Sequence, residues 1–181
     1  MFARLRRTRQ NPLMRDMLRE TSLKLSDLIY PLFVVENEGV KDEIASMPGV
    51  FRFSIDEILK ECEILKKLGI KSILLFGVPA LKDSIGSDAL SNDGIIARTL
   101  RAIKQNFAND FVLITDLCFC EYTDHGHCGI LSPNGAVDND ATLEISAKQA
   151  LIHANSGADI IAPSGMMDGI IATLRKALDE N

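Results

Sequence analysis

The sequence predicts an α/β fold, and two observations carry that prediction. Four apolar runs lack the in-out alternation of a half-exposed strand, and each is followed by a segment with helical spacing of its apolar residues. A strand covered by helices on both faces reads as a near-continuous apolar run. Strand then helix, four times over, is therefore the pattern of a parallel sheet with helices packed on it.

The first run, Leu28-Ile-Tyr-Pro-Leu-Phe-Val-Val35, predicts a buried strand. Residues 37–50, with Gly39, Pro48 and Gly49, read as the longest early loop. Ser54 to Leu68 predicts an amphipathic helix that opens on a Ser54-x-x-Glu57 capping box and stops at Gly69. Cys62 falls at helical spacing with Ile58, Leu59 and Leu65, which assigns it to the core. Ile70 to Phe76, bounded by Gly69 and Gly77, predicts the second strand. Asp93 to Phe107 predicts a helix with Ile96, Leu100 and Ile103 on one face. Phe111 to Leu117 predicts the third strand. The next helix runs from about Asp140 to Gly157, with Leu143, Ala147, Ala150, Leu151 and Ala154 as its apolar stripe and His153 on its surface. Ala158 to Pro163 predicts the fourth strand and Asp168 to Leu178 the last helix. A complete eight-unit barrel takes about 250 residues, and this chain supplies four units.

The chain has 181 residues, 46% hydrophobic, with no tryptophan and a formal charge of -5. That composition fits one globular domain with a sizeable core and argues against disorder. No apolar stretch reaches the roughly 18 residues that span a bilayer, and the N-terminus lacks a secretory apolar segment. The expectation is a cytoplasmic protein without membrane association, in a reducing setting that favours metal thiolates over disulfides. Charge is uneven: residues 1–20 hold six arginines against Asp16 and Glu20, so the remaining 161 residues carry -9. Arg4, Arg6, Arg7 and Arg9 make the N-terminus a basic arm. Nucleic-acid contact or organelle targeting would use such an arm, but beside an acidic body with few aromatics it reads better as a segment that packs on its own or a neighbouring subunit.

Three cysteines, Cys118, Cys120 and Cys128, crowd into eleven residues directly after the third strand, with His125 and His127 among them. Cys118 and Cys120 would share a face of an extended chain, and a turn at Gly126 or Gly129 would return Cys128 to them. Three thiolates are one ligand short of a closed structural zinc site and match a metal with an open position. Half-buried ordinary cysteines, or one disulfide with a spare thiol, are the alternatives.

Four segments together resemble the zinc-dependent branch of the porphobilinogen synthases, also called 5-aminolevulinate dehydratases. They are Asp27-Leu-Ile-Tyr-Pro-Leu-Phe-Val-Val-Glu36, Ser46-Met-Pro-Gly49, Thr115-Asp-Leu-Cys-Phe-Cys-Glu-Tyr-Thr-Asp-His-Gly-His-Cys-Gly129 and Ala162-Pro-Ser-Gly-Met-Met-Asp-Gly169. The resemblance implies a TIM-type (β/α)8 barrel with an N-terminal arm, here with about four βα units. The expected organisation is a basic arm over residues 1–25 and the N-terminal half of a β/α barrel over residues 26–181. It implies a homo-octamer, assembled through the arm, that condenses two molecules of 5-aminolevulinate to porphobilinogen with loss of water in tetrapyrrole (heme) biosynthesis. By the same resemblance Cys118, Cys120 and Cys128 hold Zn2+, a Lewis acid toward the second substrate molecule, and Asp116 and Ser164 contact the first. Taken alone, Asp116 reads as a cap or loop residue and Ser164 as a turn residue; both fall at strand ends, where barrel active sites are built. His127 is open between a partner to a metal ligand, a ligand to an auxiliary metal, and a loop hydrogen bond.

The family's two Schiff-base lysines have no counterpart here: Lys71 opens a strand at the wrong end, Lys148 faces out of a helix and Lys176 lies near the C-terminus. Gly165 stands where the family usually carries aspartate. The expectation is a chain that binds zinc without completing the condensation by itself. The other reading is a non-catalytic zinc-binding half-barrel that assembles with, or modulates, a full-length enzyme.

Overall fold

A computed structural model describes residues 3–181; Met1 and Phe2, the first two residues of the expected arm, lie outside the described residues. In chain order the regular elements are α1 (Pro12–Met17), β1 (Ile29–Val35), β2 (Lys41–Glu43), β3 (Phe51–Phe53), α2 (Ile55–Leu68), β4 (Ser72–Val78), α3 (Ile95–Phe107), β5 (Val112–Leu117), α4 (Asn139–Asn155), β6 (Ile160–Pro163) and α5 (Ile170–Glu180), with short 3-10 turns between some of them. The strands form one sheet in the order β2-β3-β1-β4-β5-β6. Every pairing is parallel except β2 with β3. All four expected strand–helix units are present, and their boundaries move by only one or two residues.

The apolar runs form strands because helices cover them. Leu32 and Val34 of β1, Ile73 and Leu75 of β4 and Leu113 of β5 are at most 1% exposed, and they meet Ile58, Cys62 and Leu65 of α2 and Leu100 and Ile103 of α3. Cys62 is a core residue, as expected. Beyond β5 the packing thins to a second, smaller cluster of Leu117, Ala150 and Leu174. Ile160 on the edge strand β6 and Ile171 on α5 are exposed. The arm buries nothing: in residues 3–28 no side chain is buried, and Leu5, Leu13 and Met17 stand open beside the arginines. Asn11 caps α1 by accepting the Met14 N–H at 2.8 Å.

Three expectations need correction. Residues 37–50 are not all loop, because Lys41–Glu43 pairs antiparallel with β3. Three exposed charged residues carry no apolar signal, and charge on an edge strand keeps it from pairing further. Lys41 also lies over the rings of Phe51 and Phe53, at 5.1 and 5.4 Å. The capping box of α2 does not form. The Ser54 hydroxyl accepts the Val40 N–H and donates to Asp56, tying the helix start to the residue before β2, while Glu57 pairs with Lys60.

The third correction concerns α4. Its most buried face is the polar row Thr142, Ser146, Gln149 and His153 together with Ala150, whereas Leu143, Ala147, Leu151 and Ala154 of the expected stripe are half-buried. His153, expected on the surface, is 1% exposed. The helix is wedged between α3 on one side and α5 on the other, so neither side is free to be its polar face. His153 Nδ1 lies 3.0 Å from the Thr115 hydroxyl on β5. Burial lowers its pKa to about 4, which keeps the ring neutral.

Candidate metal centre

Parallel strands deliver all their carboxyl ends to one edge of the sheet, and β5 and β6 deliver the site. Their register pairs Asp116 with Ala162 and Leu117 with Pro163. Asp116, in the last turn of pleat of β5, and Ser164, the residue after β6, thus arrive side by side. The Ser164 side chain lies near the Asp116 carboxyl. Burial raises that carboxyl above its ordinary value, while Ser164 and the Leu117 backbone oppose the rise. A Cβ on Gly165 would meet nothing nearer than the Leu117 carbonyl at 4.0 Å, so the backbone has room for the aspartate that the resemblance leads one to expect.

Cys118 leaves the end of β5 buried, and Cys120 and Cys128 are half-buried. Gly126, at φ +73°, makes the turn that brings the loop back; Gly129 does not take a positive φ. The three sulfurs lie within 4.8 Å of one another, with Cys118 and Cys120 at 3.3 Å. All three are free thiols. Around a tetrahedral zinc with bonds of about 2.3 Å, sulfurs stand about 3.8 Å apart, so this triad is of the right size for a cation.

The charges point the same way. Burial raises the Cys120 thiol well above its ordinary value, and the neighbouring Cys118 adds to that. Cys128 is raised as well, again first by burial. Three thiols in contact oppose one another's ionisation, and a divalent cation reverses the balance because the thiolate is its ligand. The donor set therefore fits a thiophilic metal, and the three sulfurs could hold one with a fourth position open.

The loop is pinned at several points. Phe119 and Tyr122 are buried, and a Cβ on Gly77 of β4 would collide with the Tyr122 hydroxyl and with Ile96. Beyond Cys128, a Cβ on Gly129 would collide with Thr142 of α4, whose hydroxyl accepts the Ile130 N–H at 3.0 Å. His127 is not brought to the sulfurs. Its side chain is exposed and its backbone N–H donates to His125 Nδ1 at 3.1 Å. His125 Nε2 in turn lies 3.2 Å from the Ser84 carbonyl, an acceptor only, so Nε2 carries the proton. Among the described residues the group able to hold a metal consists of the three cysteines.

Two neighbours escaped the sequence reading. Glu121, between Cys120 and Tyr122, is pushed up to about 7, first by burial and then by Asp116, with Lys82 opposing. Its place inside the cysteine segment was the available signal. Lys82 sits on the loop after β4, at the same end of the sheet as the thiols. Lys71 precedes β4 at the opposite end, and Lys148 and Lys176 are exposed.

A family model described as delta-aminolevulinic acid dehydratase matches residues 2–181. The delta-aminolevulinic acid dehydratase of Helicobacter pylori strain J99 is 58% identical over 181 residues, covering 99% of this chain and 55% of that protein. That of Halalkalibacterium halodurans is 48% identical over 178 residues, covering 98% and 54%. The crystal structure of the Toxoplasma gondii ME49 enzyme, in complex with the reaction product porphobilinogen, superposes with a TM-score of 0.94 at 37% identity and covers 99% of this chain and 51% of that one. The chain spans about half the length of the curated relatives it matches.

Proposed function

The chain belongs to the delta-aminolevulinic acid dehydratase family, and we propose that it forms the metal-binding part of a porphobilinogen synthase that condenses two molecules of 5-aminolevulinate. The observation that carries the reading is the convergence of three thiols within 4.8 Å with Asp116 and Ser164 at the ends of two adjacent strands. We assign the metal as Zn2+, held by Cys118, Cys120 and Cys128. When bound, it supplies Lewis-acid polarisation of a substrate oxygen at its open position.

The protein's own groups do the positioning. Ser164 is exposed at the mouth and offers a hydroxyl that donates or accepts. Asp116 is buried beneath it, and burial raises its carboxyl above the ordinary value, so it holds a proton more readily than an exposed carboxyl does. Together they are suited to fix a substrate's polar end against the sheet while the thiol cluster faces its other end. The amines for Schiff-base chemistry are not Lys71, Lys148 or Lys176, none of which stands at this end of the sheet near Asp116. The open arm, basic and studded with exposed leucines, suits docking on a neighbouring subunit, and we extend the reading to an arm-mediated oligomer, a homo-octamer as in the family, in the cytoplasm. No helix among the described residues is long and apolar enough to cross a membrane.

The test is porphobilinogen formation from 5-aminolevulinate by the protein as its own cells make it, before and after chelation and with zinc restored. Product formation that chelation abolishes and zinc restores supports the reading. Formation unchanged by chelation and by Cys120→Ala would end the metal's role, and absence of product under every condition would end the synthase assignment.

A further inference from the structure

The segment between Cys120 and Cys128 has to be held still for its thiols to meet. Within residues 121–127 the backbone bonds are local, with two exceptions: among the described residues, the ties from this backbone to another part of the chain both go to Asp83. Asp83 N–H donates to the Tyr122 carbonyl at 3.4 Å, and Asp124 N–H donates to the Asp83 carbonyl at 3.1 Å, a one-residue parallel bridge between Asp83 and Thr123. Ser84, the next residue, receives the His125 ring. The side chain of Asp83 explains why its backbone is presented in this way. One carboxylate oxygen accepts the N–H groups of Ile85 and Ser87, each at 3.0 Å, and the other accepts the Ser87 hydroxyl. Those bonds fold residues 83–87 into a turn whose outer edge is the bridge.

We propose that Asp83 is a positioning residue for the metal centre, its carboxylate folding the loop after β4 into a brace that clamps the Cys120–Cys128 segment. The inference rests on the metal reading above and adds to it a residue that touches neither metal nor substrate. The other anchors act elsewhere: β5 places Cys118 directly, and Thr142 holds the chain after Cys128. Gly86 belongs to the same brace. It lies at φ +65°, and a Cβ there would come within 2.9 Å of the Phe119 ring, so the turn and the metal loop are packed face to face.

The test compares Asp83→Ala and Asp83→Asn in the protein as its own cells make it, titrated with Co2+ against a competing chelator. Partners behind metal ligands typically contribute about 10- to 100-fold in metal affinity. Asp83→Ala is expected to weaken binding by about tenfold or more, with a changed cobalt–thiolate absorption spectrum and an unaltered melting temperature of the metal-free protein. Asn keeps an oxygen for the Ile85 and Ser87 N–H groups, so Asp83→Asn is expected to regain most of the affinity. A second readout needs no metal: iodoacetamide should alkylate Cys120 and Cys128 faster in metal-free Asp83→Ala than in the parent. If the parent binds no Co2+ but this acceleration appears, the metal reading fails and the brace stands. Unchanged alkylation, or affinity lost only along with the stability of the metal-free fold, would overturn the brace, as would an Asn variant no better than Ala.

Discussion

The two sides of the sheet are built differently. From β3 to β5 the strands are covered by α2 and α3, and the core runs without a break from Phe53 to Leu113. Beyond β5, the last strand and α5 rest on three buried residues, Leu117, Ala150 and Leu174, with Ile160 and Ile171 left open. The thiol cluster sits on the boundary between them, at the end of the last well-packed strand. The contrast teaches a division of labour. The thick side anchors β5, which carries Asp116 and leads into Cys118, while the last strand brings one hydroxyl, Ser164.

Four predictions sharpen or break this contrast. Leu75→Ala, in the middle of the thick side and fully buried, is expected to cost about 4 kcal/mol in urea unfolding. Next in size is the pH dependence of His153. Its pKa of about 4 in the folded chain lies below the ordinary 6.5, so the unfolded chain binds the extra proton. This contribution is fully present above pH 6.5 and is lost as pH falls toward 4, by about 3 kcal/mol in all. Urea unfolding of metal-free protein at several pH values measures it, and His153→Gln should flatten the slope. Leu174→Ala on the thin side is expected to cost about 2 kcal/mol, because fewer neighbours lose contacts and the site can collapse. A cost equal to that of Leu75→Ala would erase the distinction between the two sides. Ser54→Ala, which removes the hydroxyl tying Val40 to α2, is expected to cost about 1 kcal/mol.

The sequence made the repeating units readable because their strands are near-continuous apolar runs and their helices, α4 apart, follow the 3.6-residue period. It hid β2, whose Lys41, Asp42 and Glu43 are all exposed. It misled on α4, since periodicity picks the apolar side of a helix and this one is covered on both; only the fold shows that Thr142, Ser146, Gln149 and His153 face inward. At the site, Cys118, Cys120, Cys128, Asp116 and Ser164 were legible as a set, and the structure gathers the sulfurs at one point and the carboxyl with the hydroxyl beside it. His127, left open between three roles, is exposed and stands outside the sulfur cluster. Asp83 was invisible, because its part is played through the backbone of a loop 40 residues upstream of the residue it bridges, Thr123.

The central claim is that the three thiols form one metal centre. Its most direct measurement is the zinc content, by elemental analysis, of the purified protein and its Cys120→Ala variant after dialysis against metal-free buffer. The account predicts one tightly held zinc per chain in the parent and none in the variant. No zinc in the parent, or the same amount in both, would contradict it.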